Sequence, residues 1–174
     1  PLYPEPFDAH LNTMETAMLD PNTQTPTNTT AQMIAEINGL LTDHFALYIK
    51  TKNFHWHVKG PRFRDLHLLF DEQAGEIQGQ IDAIGERARK LGGDTITGLS
   101  MISELTQVKD QKNASITAED MIAELRDDNA AMVSKLKSMK ETAEKAGDNA
   151  TDGLLDDWTD MAEERVWFLN SLLG

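Results

Sequence analysis

From residue 29 onward, apolar residues recur at three- and four-residue spacing. Met33, Ile34, Ile37, Leu40, Leu41, Phe45 and Tyr48 form the first such series, which is the period of one helix face. Thr29 with Gln32 has the form of a capping box ahead of it, and the pattern predicts a helix over 30–58. Lys59-Gly60-Pro61 reads as a tight connection, with Pro61 suited to the first position of a second helix. That helix runs to Leu91 and stops at Gly92-Gly93. Residues 94–116 are less regular and hold one short helix, over 99–107. Thr117 with Asp120 opens a third long helix that ends near Gly147, and a fourth occupies 152–172. Four long helices with one long mid-chain linker predict an all-α four-helix bundle. Five of the six prolines (Pro1, Pro4, Pro6, Pro21 and Pro26) precede this pattern. Residues 1–28 are therefore expected to form an extended arm, and 29–174 the bundle domain.

Composition narrows the chemistry. The 174 residues contain no cysteine, which excludes disulfide scaffolds, thiolate metal sites and cysteine nucleophiles. No apolar run reaches the roughly 18 residues of a membrane span, and no secretory leader pattern opens the sequence, so the expected location is the cytoplasm. The chain carries 16 Lys and Arg against 29 Asp and Glu, a net charge of -13. Its first basic residue is Lys50, and no charge follows Arg165. Both termini thus lack the cations that attract phosphate backbones, and DNA binding through terminal tails is not expected. Lys135, Lys137, Lys140 and Lys145 are interleaved with Glu141 and Glu144 on the third long helix, and are expected in ion pairs.

Candidate chemistry concentrates at the end of the first helix and along the second. On the second, Asp71, Asp82 and Glu86 lie about 40°, 60° and 100° around from His67 at about 100° per residue. His55 lies just before the turn. Imidazoles combined with carboxylates suit iron or another borderline divalent metal. A solvated helix face is the competing reading of the same stripe. His67 and Glu86 are 19 residues apart, roughly 28 Å along a helix, whereas metal bonds are about 2 Å long. One straight helix cannot close a site with both ends of the stripe, but two antiparallel copies can. The twofold would pass near Glu76 and Ile77, flanked by Gly75 and Gly79, giving two inter-subunit sites per dimer. The Glu-x-x-His motif of intrahelical di-iron bundles is absent.

The segment from Asn53 to Arg62-Phe63 (NFHWHVKGPRF), then Leu66–Glu72 (LHLLFDE), Asp82–Arg87 (DAIGER) and Leu91-Gly92-Gly93, closely resembles the Dps family. These are the mini-ferritins known as DNA-binding proteins from starved cells. The resemblance spans residues 30–172 and includes Trp167. It implies a ferritin-like bundle and a hollow homododecamer that oxidises Fe²⁺ with hydrogen peroxide, or O₂, and stores the ferric product. It also implies a ferroxidase site of two irons, with His55, His67 and Asp71 from one subunit and Asp82 and Glu86 from its mate. Zn²⁺ is a possible substitute. Trp56 is a candidate for supplying or quenching an electron, with core packing as the alternative. Glu72, and less directly Glu76, are candidate mineral-nucleating carboxylates, against a solvated face. Asp148, Asp152, Asp156 and Asp157 surround the start of the fourth long helix, where the family lines pores with carboxylates. His44 is expected to be structural, and His57 to point away from the site. A nucleoid protein that coats DNA is the alternative function, and a shell holding a non-redox metal is a third.

Overall fold

The computed structural model describes residues 27–174, and every regular element among them is a helix. The expected arm lies outside the described residues except at its last two positions. There, Thr27 is extended and its hydroxyl accepts the Thr30 N–H at 3.1 Å. Helix α1 (Asn28–His57) therefore starts earlier than the Thr29 box suggested. Three threonines compete for the cap, and the one already in an extended conformation takes it.

Helix α2 (Phe63–Lys90) begins two residues after Pro61 rather than at it. Phe63 N–H bonds the Gly60 carbonyl at 3.0 Å, so Pro61 sits at the first corner of a turn, where its fixed φ fits equally well. At the other end Gly92 adopts φ +83. Its N–H reaches Arg89 O, and the Gly93 N–H reaches Ala88 O, closing α2 with a Schellman motif. Helix α3 (Leu99–Leu105) is two residues shorter than expected. Buried Asp43 ends it, accepting from Thr106 Oγ1 at 2.9 Å and from Gln107 N–H at 2.6 Å. Helix α4 (Ala118–Ala146) carries the expected Thr117 cap, and Thr117 Oγ1 accepts the Asp120 N–H at 3.0 Å. After Gly147, Asp148 caps helix α5 (Asn149–Leu173) through the Thr151 N–H at 3.0 Å. That cap places the start of α5 three residues before the expected 152.

Side-chain pairings set the topology. Gln32 meets Thr142, and Lys50 meets Glu124 and Asp128, so α1 and α4 are antiparallel. Arg87 meets Asp148, and Arg62 meets the Leu172 carbonyl, so α2 and α5 are antiparallel too. Asn38 holds Asp94 O and Asn53 holds Gln111 O. The linker therefore runs the length of α1, a bundle with one long crossover. Ile37, Leu40, Phe70, Ile77, Leu136 and Leu155 are among the fully buried residues between the helices. Burying each such side chain stabilises the fold by about 1.5–3 kcal/mol. None of the described helices is long and apolar enough to cross a membrane.

Candidate metal centre

The α1–α2 turn brings His55, His67 and Asp71 together. The two imidazoles stack at 3.8 Å between ring centroids, and Phe63 stacks on His67 at 5.1 Å. Their outer nitrogens bond reciprocally, His55 Nδ1 to His67 O at 2.7 Å and His67 Nδ1 to His55 O at 2.8 Å. A carbonyl oxygen only accepts, so each Nδ1 carries the proton and each Nε2 keeps its lone pair. This is the orientation a metal-binding histidine needs. His55 Nε2 lies 3.9 Å from Asp71 Oδ1.

Lys52, which sequence reasoning missed, donates to Asp71 Oδ1 at 2.6 Å. This bond holds the Asp71 carboxyl below its ordinary range, so the candidate ligand is anionic. The sequence signal was available: Lys52 lies one turn before His55, on the same face of α1.

Asp82 and Glu86 stand elsewhere. Glu86 is exposed and paired with Lys90 at 2.9 Å. Asp82 lines a groove of about 780 Å³ that also includes Phe45, Ile49, Ile81, Leu99 and Ile102. Among the described residues, no three His, Asp or Glu side chains converge closely enough to hold a metal. Between the two half-sets, Gly75 and Gly79 face open space, where a Cβ would meet nothing within 4 Å. Nothing among the described residues requires glycine at either position, although each costs about 1 kcal/mol relative to alanine inside a helix.

Trp56 is 61% exposed rather than packed in the core, with Lys52 Nζ 5.9 Å from its ring centroid. Glu72 is exposed. Glu76 is half-buried beside Arg165, with Oε2 3.6 Å from Nη1, and burial raises its carboxyl above the ordinary range despite that cation. His57 is exposed and bonds Asn53 O, away from His55 and His67.

His44 is buried, bonded to Leu40 O at 2.9 Å and Gln80 Oε1 at 3.1 Å. With Gln80, Asn129 and Arg165 it fills the bundle centre with protein polar groups; Arg165 is only 1% exposed, and its Nε donates to Asn129 Oδ1 at 2.7 Å.

The acidic cluster at α5 is largely engaged within the chain. Burial tends to raise the Asp148 carboxyl, but bonds from Arg87 and Thr151 outweigh that and hold it below its ordinary value. Asp152 and Asp156 both pair with Lys140. The remaining lysines of the α4 stripe are also paired, Lys135 with Asp43, Lys137 with Glu163 and Lys145 with Glu141.

Comparison with known proteins places this geometry in context. A family model described as a ferritin-like domain matches residues 34–174. The DNA protection during starvation protein of Brevibacillus brevis is 34% identical over 143 residues, covering 82% of this chain and 95% of that protein. The crystal structure of a Dps protein from Bacillus brevis superposes with a TM-score of 0.83 at 31% identity, over 86% of this chain and 100% of that one. A Dps protein from Vibrio cholerae O1, described as a member of a broad superfamily of ferritin-like diiron-carboxylate proteins, gives 0.80 at 27% identity, over 84% and 91%. A ferritin-like bundle, shared along most of its length with these proteins, makes this chain a member of the Dps family.

Proposed function

We propose that this protein is a cytoplasmic iron-storage and detoxification protein. It is a ferroxidase whose di-iron sites form between two chains related by a twofold axis. The carrying observation is the split stripe on α2. His55, His67 and Asp71 gather at one end, Asp82 and Glu86 stand free of them, and Gly75 and Gly79 lie open between. A second α2 laid antiparallel on these glycines brings His67 and Asp71 of one chain to Asp82 and Glu86 of the other.

The donor set fits Fe²⁺ as substrate. Imidazole nitrogens accept a borderline divalent cation, while the carboxylates favour the ferric over the ferrous charge. With two Fe²⁺ held together, each gives one electron to the same hydrogen peroxide. The O–O bond breaks, two protons are taken up, and two waters leave, so no one-electron hydroxyl radical is released. The chain's share is positional. The backbone bonds of His55 and His67 aim both Nε2 atoms, Lys52 keeps Asp71 ionised, and Trp56 lies next to His55, able to give an electron if only one iron is present. The ferric product is then hydrolysed and held inside a shell of twelve chains, with Glu72 facing the mineral. Zn²⁺ at the same ligands would block turnover, having no second oxidation state. The pairing of all four α4 lysines supports iron chemistry ahead of DNA coating.

Complementation between chains tests the shared site. One variant is His67→Ala/Asp71→Asn and the other Asp82→Ala/Glu86→Ala; each alone is expected to be inactive. Refolded as an equal mixture, half the dimers are mixed and each regenerates one intact site, so about a quarter of wild-type iron oxidation returns. A mixture as inactive as its parts would rule out a site built between subunits.

A further inference from the structure

The proposed function, on which this inference rests, needs Asp71 as a metal ligand, yet Asp71 already holds a cation. Lys52 Nζ lies 2.6 Å from Asp71 Oδ1, and His55 Nε2 approaches the same oxygen at 3.9 Å. A metal shared by that oxygen and that nitrogen makes bonds of about 2 Å. It would therefore crowd against the ammonium, and two cations on one half-buried carboxylate oxygen repel each other. The Lys52 ammonium thus stands where the metal's charge has to go.

A second lysine beside the stripe gives the contrast. Lys90 pairs with Glu86 at 2.9 Å, but both side chains are more than half exposed, so water replaces that pair at little cost. Lys52 is only 19% exposed, and its short, charge-assisted bond to Asp71 is of the stronger kind. A metal that displaces Lys52 gives up part of its binding free energy in doing so. A divalent ion can meet that cost, because it brings twice the charge of the ammonium. A monovalent ion brings the same charge and gains nothing by the exchange.

Helix α1 sets where the displaced ammonium goes. Trp56 lies one turn beyond Lys52 on the same helix face, with its ring exposed and its centroid 5.9 Å from Lys52 Nζ. The face of an indole attracts an ammonium, and side-chain rotation alone carries the charge from Asp71 to the ring. We propose that Lys52 is a positioning residue, an exchangeable cation that leaves Asp71 for the Trp56 ring as a divalent metal arrives. While the site is empty the exchange keeps Asp71 charge-balanced. It also raises the metal concentration at which the site fills, and it couples filling to the surroundings of Trp56.

Titration of the full-length protein with Zn²⁺, followed by calorimetry and by tryptophan emission, tests this without turnover. Lys52→Met keeps the apolar stem and is expected to bind Zn²⁺ about tenfold more tightly than wild type. Lys52→Arg restores a cation on Asp71 and should bind as weakly as wild type, and Lys90→Met should stay within about twofold of it. The emission change that Zn²⁺ produces in wild type should shrink in Lys52→Met and be absent in Trp56→Phe. Equal affinities in wild type and Lys52→Met, or an emission change that Lys52→Met leaves whole, overturn the proposal. Should Lys52→Met fail to fold by circular dichroism, Lys52→Gln takes its place under the same expectations. The two readings fail separately. Zn²⁺ binding that needs Asp71 but is as tight in wild type as in Lys52→Met overturns the exchange and leaves the ferroxidase standing. Zn²⁺ binding that Asp71→Asn leaves unchanged removes Asp71 from the site, and both readings fall.

Discussion

Two kinds of histidine are separated by what their nitrogens touch. His55 and His67 spend Nδ1 on carbonyls and leave Nε2 open, whereas His44 has both nitrogens occupied in the core. Burial lowers His44 from its usual 6.5 to about 4. A depressed histidine stabilises the fold fully above pH 6.5, and the contribution is lost as pH falls through about 4. The loss amounts to about 3 kcal/mol by pH 4. Urea unfolding of wild type against His44→Gln across pH 7 to 4 should show this extra acid sensitivity only in wild type. Asp71 is a purely chemical prediction, because its side chain is half exposed and contributes little to packing. Asp71→Asn should retain wild-type helicity and thermal midpoint while iron oxidation, followed by stopped-flow absorbance, drops about tenfold or more. Residue types in a helical stripe were enough to single out His55, His67, Asp71, Asp82 and Glu86 as candidates. Lys52 shares a helix face with His55, a signal the sequence offers, but its partner Asp71 lies across the α1–α2 turn and only the fold shows that contact.

At the scale of elements, the sequence located all five helices, and the differences fall at their ends. Thr27 in place of Thr29, a turn at Pro61 and Asp148 as the α5 cap are each choices among neighbouring residues able to do the same work. Such choices are settled by which neighbour already has the right backbone or partner, as Arg87 does for Asp148 at 2.5 Å. Where no alternative residue exists, the signal was sharp. Gly92-Gly93 ends α2 as read, and the structure adds a reason for the second glycine. A Cβ on Gly93 would lie 2.5 Å from Ile34 Cγ2, so the linker crosses α1 at a distance only glycine permits. Gly93→Ala is expected to cost about 1–3 kcal/mol, read as a lower midpoint in guanidinium unfolding. Gly75→Ala, with open space around its Cβ, should cost the isolated chain nothing.

For the whole molecule, the bundle is complete as a fold while its candidate ligands remain divided, and the division is a matter of length. Nineteen helical residues cannot be folded back on themselves, so the proposed site needs a second chain to bring the two ends of the stripe together. Gly79→Leu tests the close approach this demands. A Cβ at Gly79 meets nothing within 4 Å among the described residues, but a leucine there should hold two α2 helices apart. The expected outcome is a folded protein that sediments without the twofold contact and oxidises iron no faster than buffer. A Gly79→Leu protein that dimerises and reacts as wild type does would move the twofold elsewhere on α2.

Hydrophobic period, caps and glycines determined by themselves that the chain is a four-helix bundle with one long crossover. These signals are local, and each is read within a turn or two of helix. The side-chain spacing on α2 also determined, by arithmetic alone, that one straight helix cannot bring His67 and Glu86 to the same metal. Only the tertiary structure decided which polar groups neutralise one another. Lys135, Lys137 and Lys140 of α4 pair across helices, the last with Asp152 and Asp156 of α5, Arg165 and His44 occupy the bundle centre, and Trp56 and Trp167 stand in solvent. Burial and pairing depend on which helix faces which, and that is set by packing between residues far apart in sequence.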